Sequence, residues 1–185
     1  MRNPIIPLSL RRKQISNEAA ETYRTLVEEA KEIQLLEQKA EEYDRYLQNK
    51  NPMLTTEELE EAMQKVMDTY AGGISTHYQF NVKQLDLAKQ KILQLKELCN
   101  DIGATDMHEL MFVYELKERL TVCLSVIAHL KARKETRWHS FAENLDYPKK
   151  SDAWLKYTNS VMDHGELKII FRNLVGREEH YEHSH

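Results

Sequence analysis

Residues Thr105–Trp138 read TDMHELMFVYELKERLTVCLSVIAHLKARKETRW. Within them Val113, Leu116, Leu120, Cys123, Ile127 and Leu130 recur at steps of 3, 4, 3, 4 and 3. That spacing lays an apolar stripe along one face of an α-helix. Leu110, Phe112 and Leu124 widen the apolar surface beyond a single stripe. A helix of this kind touches neighbours on two sides and sits at the centre of a bundle. Asp106 followed by Glu109 resembles a capping box and marks its start.

Working outward towards the N-terminus, a third pattern runs from about Ile74 to Ile102. Its stripe is Tyr78, Leu85, Ala88, Ile92, Leu95 and Cys99, and Gly103 fits a left-handed position just past its end. Ala71-Gly72-Gly73 separates it from a second helix, because paired glycines weaken a helix interior. Thr55 with Glu58 starts that second helix as a capping box, and Leu59, Met63, Val66 and Tyr70 form its stripe. A first, longer helix is expected from Ser16 or Asn17 to about Asn49. Its apolar positions are Ala19, Tyr23, Leu26, Ala30, Ile33, Leu36, Ala40, Tyr43 and Leu47, spaced 4, 3, 4, 3, 3, 4, 3 and 4. Pro52 disfavours helix in the residue before it. Residues 1–15, with two prolines and Arg11-Arg12-Lys13, read as an extended arm. Residues 16–137 then make a helical bundle.

Towards the C-terminus the texture changes. Residues 138–175 form an irregular cap in which Trp138, Phe141, Tyr147, Trp154 and Tyr157 surround Pro148. Ser151 can cap a short helix over Asp152–Tyr157, and SVMDHGELKIIFR reads as a small hairpin about His164-Gly165. Residues 176–185 read as a disordered tail. The fold class is therefore all-α: three to four long helices, an aromatic-rich cap and a small C-terminal hairpin.

Composition supports few turns. The 185 residues hold 5 Gly and 4 Pro, against roughly 22 at average usage. Net charge is −4 and the pI about 6.1, which leaves no broad basic footprint for nucleic acid. Arg11-Arg12-Lys13 is too short a cluster for strong binding and reads as a solvated arm. No apolar run reaches the length of roughly 18 residues that membrane insertion needs, and the N-terminal apolar stretch is too short for a signal peptide. Cys99 and Cys123 sit in apolar helical patterns and read as reduced thiols of a cytoplasmic protein.

Chemistry-bearing motifs are sparse. There is no GxGxxG, P-loop, CxxC or GxSxG. No HExxH occurs, and the single Glu-x-x-His falls in the tail, which disfavours a di-iron bundle. His180, His183 and His185 could chelate a transition metal, but a polar terminal tail is the simpler reading. His108 reads as a solvated first-turn residue. His129 lies near the carbonyl end of its helix, which suits a partly positive imidazole. The expectation is no catalytic, cofactor-binding or metal residue in this chain. Arg133-Lys134-Glu135-Thr136-Arg137-Trp138 stands apart. Buried charge needs partners, so Arg–Glu–Arg beside Trp suits a helix end docked on another surface. Cations matching the helix dipole explain the same residues equally well.

Four segments, in this order, resemble the C-terminal helical region of the adenylylsulfate reductase flavoprotein (alpha) subunit. They are MDTYAGG (Met67–Gly73), TDMHELMFVYELKERL (Thr105–Leu120), ARKETRW (Ala132–Trp138) and DYPKKSDAWLKYTNS (Asp146–Ser160). That subunit belongs with the succinate dehydrogenase, fumarate reductase and L-aspartate oxidase flavoproteins. In that family Arg-x-Glu-Ser-Arg, Asp-Tyr-Pro and a Trp keep this order; here Thr136 stands where serine is usual. The resemblance covers about Pro52–Ser160. It implies a non-catalytic domain of a flavin-dependent oxidoreductase that packs on a flavin domain and lies near an iron–sulfur subunit. FAD belongs to the parent family and is not held by this region. A docking role carries over to Glu135, Arg137, Trp138, Asp146, Tyr147, Pro148 and Trp154. On this reading Glu135→Ala matters little to the isolated domain. Residues 17–49 lie outside the matched region. Their Glu-rich amphipathic pattern suits pairing with a copy of the chain, and a homodimeric interaction module without redox role is the alternative reading.

Overall fold

The computed structural model describes residues 8–174. They form four α-helices and four strands: α1 (Leu8–Gln48), α2 (Thr56–Tyr70), β1 (Gln79–Phe80), α3 (Val82–Leu98), α4 (Met107–Ala132), β2 (Glu143–Asn144), β3 (Lys156–Asp163) and β4 (Glu166–Asn173). The chain divides after Arg45 into two units.

The first unit is helix α1 as far as Arg45. It begins at Leu8 rather than at Ser16 or Asn17, so residues 8–15 are helical and only the earlier part of the expected arm lies outside the described residues. The reason is local: Leu, Arg, Lys and Gln are good helix formers, and no proline follows Pro7 until Pro52.

The second unit has one apolar core. Leu59 and Met63 of α2, Leu85, Ala88 and Ile92 of α3, and Leu110, Val113, Leu116, Leu120 and Ile127 of α4 are all buried. Helix α4 packs against α2, α3 and both strands of the β3–β4 hairpin, which is the central position its wide apolar surface predicts. Phe112 is the exception, exposed on the outer side of α4. Tyr46 is fully buried, and its hydroxyl accepts a hydrogen bond from Lys117 Nζ at 3.0 Å. Its carbonyl accepts from the Ala104 amide at 3.0 Å, while Asn49 Nδ2 donates to Asp101 O at 2.7 Å. The stripe residues Tyr43 and Leu47 flank this tyrosine without being the buried member.

The caps behave as their chemistry dictates, with one shift. Thr55 and Glu58 form a full capping box. Asp106 accepts from the amides of His108 and Glu109, but Glu109 returns to the Thr105 amide instead of that of Asp106. The third helix is shorter than Ile74–Ile102. Gly72 takes a φ of 78° at the α2 exit, a single 3₁₀ turn covers Ile74–Thr76, and His77 and Tyr78 are left-handed. That conformation ends a helix. The chain then extends through β1 and restarts at Asn81, which forms a capping box with Gln84. Gly103 is not left-handed. It is needed for close approach, since a Cβ there would lie 2.0 Å from the Asn49 carbonyl oxygen.

In the cap, Asp152–Trp154 is one 3₁₀ turn and Ser151 makes no side-chain cap. The expected helix over Asp152–Tyr157 stops there because Lys156 already pairs with Asn173 in the hairpin. The hairpin turns on His164 (φ 48°) and Gly165 (φ 82°), both left-handed as a type I′ turn requires. Strands β1 and β2 pair in parallel through Gln79–Glu143 and Phe80–Asn144. The His-rich tail lies outside the described residues.

Candidate docking surface

Helix α4 ends at Arg133, whose extended backbone turns the chain out of the helix. After exposed Lys134, Glu135 and Thr136 are buried. The Glu135 side chain is 1% exposed and sits between two guanidinium groups. Arg137 Nε and Nη2 donate to its two oxygens at 3.0 and 2.9 Å, a bidentate fork. Arg133 Nη2 donates to Oε1, and the Ser151 amide donates to Oε2 at 3.1 Å. Burial pushes this carboxyl up, but the hydrogen bonds from Arg137, Arg133 and Ser151 outweigh it and hold the pKa at about 2. The arginines then clamp the following loop: Arg133 donates to the carbonyls of Trp154 (2.8 Å) and Lys156 (3.2 Å), and Arg137 to that of Ser151 (3.2 Å).

A second, neutral network lies beside the first. Thr136 Oγ1 accepts from the Asn144 amide at 2.9 Å and donates to the Tyr147 carbonyl at 2.9 Å. Asn144 is buried, and its side chain bridges the Arg133 carbonyl and the Asp146 amide. Asp146 Oδ2 accepts from the Val82 amide at 2.7 Å, so its charge lies in the first turn of α3 where the helix dipole favours it.

These networks support an open recess of about 140 Å³, lined by Phe80, Leu130, Ala142, His129, Trp138 and the arginine–glutamate cluster. Trp138 is 68% exposed at its edge, and Phe141 is 74% exposed nearby in sequence. Of the seven docking candidates, Glu135, Arg137 and Trp138 share the recess. Asp146 ties the loop to α3, Tyr147 and Pro148 lie on the exposed loop, and Trp154 packs edge-on to Phe171 with centroids 5.3 Å apart. Of the seven, Glu135 is buried, Arg137 and Trp154 are half-buried, and Trp138, Asp146, Tyr147 and Pro148 are exposed. Glu135 is a support whose partners all lie in this chain, which overturns the expectation that Glu135→Ala matters little to the isolated domain. Arg133, Asn144 and Ser151 complete the support. Arg133 was legible within the charged cluster, whereas the burial of Asn144 was not, because beyond the local bond to the Asp146 amide its partners Thr136 and Arg133 are 8 and 11 residues away.

The described residues do not fit an FAD. A dinucleotide needs a pocket of roughly 300–1,000 Å³ with an anion cradle. The recess is smaller, and its cations are already bonded to Glu135. The wider groove along α2 sets three carboxylates, Glu58, Glu61 and Asp68, against one cation, Lys65, a net negative lining that disfavours a pyrophosphate. Gly73 and Gly103 face the chain's own backbone at Asp68 and Asn49 and offer no cradle. No group of metal-binding residues occurs among the described residues, and no described helix is long and apolar enough to cross a membrane. Cys99 and Cys123 are free thiols whose pKa burial raises.

A family model described as fumarate reductase flavoprotein C-term matches residues 60–182. The adenylylsulfate reductase subunit alpha of Megalodesulfovibrio gigas is 30% identical over 100 residues, covering 54% of this chain and 15% of that protein. The solved adenylylsulfate reductase of Archaeoglobus fulgidus is 30% identical with a TM-score of 0.66, over 74% of this chain and 23% of that one. A solved chain of the E. coli quinol fumarate reductase, at 21% identity and a TM-score of 0.62, shares the fold over 77% of this chain and 24% of its own. This chain thus spans less than a quarter of the length of each of these relatives.

Proposed function

The chain belongs to the C-terminal family of fumarate reductase flavoproteins, and from that premise we propose that it is the non-catalytic helical part of a flavin-dependent oxidoreductase of the adenylylsulfate reductase type. Its task is to dock on a flavin domain, beside an iron–sulfur partner subunit, in the cytoplasm. The observation that carries this reading is the pairing of a buried, fully bonded Arg–Glu–Arg cluster with exposed aromatic residues at the same place. Rigid support under exposed Trp138 and Phe141 is what an interface anchor needs, since ordering costs are then met before binding. FAD stays with the partner, in line with the poor fit of the residues here. The free thiols Cys99 and Cys123 support the cytoplasm.

Capture by a flavoprotein alpha subunit truncated before its own C-terminal helical region tests this. The purified chain should be colourless, should bind that subunit, and should lose at least about tenfold in affinity on Trp138→Ala combined with Phe141→Ala, as exposed anchor loss implies. Stoichiometric FAD on the chain alone, or no binding to the truncated subunit, would sink the reading.

A further inference from the structure

The recess beside Trp138 reaches the apolar core of the second unit. Phe80, which lines it, is 3% exposed and belongs to that core; Leu130 and Ala142 line it too and pack against the same cluster. Backbone bonds hold its wall. The Trp138 carbonyl accepts from the amides of Phe141 and Ala142 at 3.1 and 3.0 Å, around a turn in which Ser140 takes a left-handed φ of 84°. The Glu143 and Leu145 amides then donate to the carbonyls of Tyr78 and Phe80, both at 2.9 Å. The shape is thus set by this chain alone.

Two properties select what the recess can take. The first is charge. Arg133 and Arg137 edge it, but their hydrogen bonds go to Glu135, to Thr158 Oγ1 and to the carbonyls of Trp154, Lys156 and Ser151. Two carboxylates offset the two guanidinium groups, Glu135 by direct bonds and Asp152 by its charge near Arg137. An entering anion would have to break bonds already made, and an entering cation would meet both arginines. An uncharged group remains. The second property is size. The recess measures about 140 Å³, and an apolar cavity of roughly 150 Å³ takes a benzene ring.

We propose that this recess receives one phenylalanine-sized apolar side chain of the flavoprotein subunit, inserted beside Trp138. The inference rests on the docking reading and deepens it, because contact becomes reciprocal. Trp138 and Phe141 cover the partner, while a partner side chain covers Phe80, Leu130 and Ala142. Removing that apolar surface from water drives insertion. Interface anchors of this kind fill apolar pockets ringed by contacts that exclude water.

The full chain and an alpha subunit truncated before its own C-terminal helical region decide this. Ala142→Leu puts a branched side chain into the recess. It should weaken binding to that subunit at least about tenfold, with the melting temperature unchanged or raised. The loss should persist at high salt, since no charge pair is involved. On the chain alone, N-acetylphenylalanine amide at tens of millimolar should shift the Ala142 methyl resonance, and N-acetylaspartate amide should not. This titration needs no variant, so misfolding of Ala142→Leu would not shelter the inference. p-Benzoylphenylalanine in place of Trp138 should photocrosslink to the flavoprotein subunit. Undiminished binding by folded Ala142→Leu overturns the inference and leaves the docking reading standing. So does an Ala142 methyl that ignores the phenylalanine probe or follows both probes equally, and so does crosslinking to a second copy of this chain. No binding by the unaltered chain sinks both.

Discussion

The apolar core between α2, α3 and α4 and the polar cluster at residues 133–151 are both buried, but different forces hold them. In the core, Leu120 and its neighbours are stabilised by removal of apolar surface and by close packing, which need no particular partner. In the cluster, Glu135 gains only because each of its oxygens is met by a cation or an amide at bonding distance. A packed core tolerates exchange of one apolar shape for another. A buried carboxylate does not tolerate loss of a partner, since charge without pairing is costly to bury. The cluster is thus the more specific device and the core the more forgiving one.

The largest effect expected from breaking either side is in the core. Leu120→Ala should cost about 2–5 kcal/mol in urea unfolding at neutral pH. A loss below roughly 1 kcal/mol would show that α4 is not central. Glu135→Ala should cost about 3 kcal/mol, the lower end for a broken buried pair, because both arginines keep some contact with water. If it cost no more than an ordinary surface change, the cluster would not be a structural support.

Acid separates the two regions most cleanly. The Glu135 pKa lies at about 2 against an ordinary 4.5. A carboxyl depressed on folding stabilises fully above the unfolded value and loses that contribution as pH falls towards the folded one. Stability should therefore drop by roughly 3 kcal/mol between about pH 5 and pH 2 from this group. Leu120→Ala should keep that slope and Glu135→Ala should lose it; equal slopes in both variants would assign the acid sensitivity elsewhere.

Smaller effects refine the picture. Thr136→Val keeps the shape but leaves the buried Asn144 amide without its acceptor, at a cost of about 1–3 kcal/mol. The serine usual at this position in the family should cost less, because it keeps the hydroxyl; thermal melts of the two variants would compare them. Trp138→Ala should change stability by less than about 0.5 kcal/mol, as expected for an exposed side chain. A larger loss would make Trp138 part of the support and not of the contact surface.

How much of this was legible in the sequence follows from the range of each interaction. Helices α2 and α4, the Thr55 box, the Asp106 cap and the His164-Gly165 turn depend on residues within four positions of each other. Periodicity and capping chemistry reveal such features directly. Beyond that range the reading failed in identifiable ways. Residues 74–81 look helical because Tyr78 falls on the period, yet β1 exists there because Phe80 pairs with Asn144 across 64 residues. The expected helix after Ser151 gave way to a strand because its partner lies at 173.

The same division holds for the charged cluster and for α1. The sequence by itself determined that Arg133, Glu135 and Arg137 are neighbours and that residues 19–47 carry one apolar stripe. Only the tertiary structure decided that the carboxylate is buried beneath the 151–156 backbone while the stripe residues of α1 stay exposed. Local pattern sets which side chains share a face. Burial depends on what the rest of the chain, through contacts distant in sequence, brings against that face.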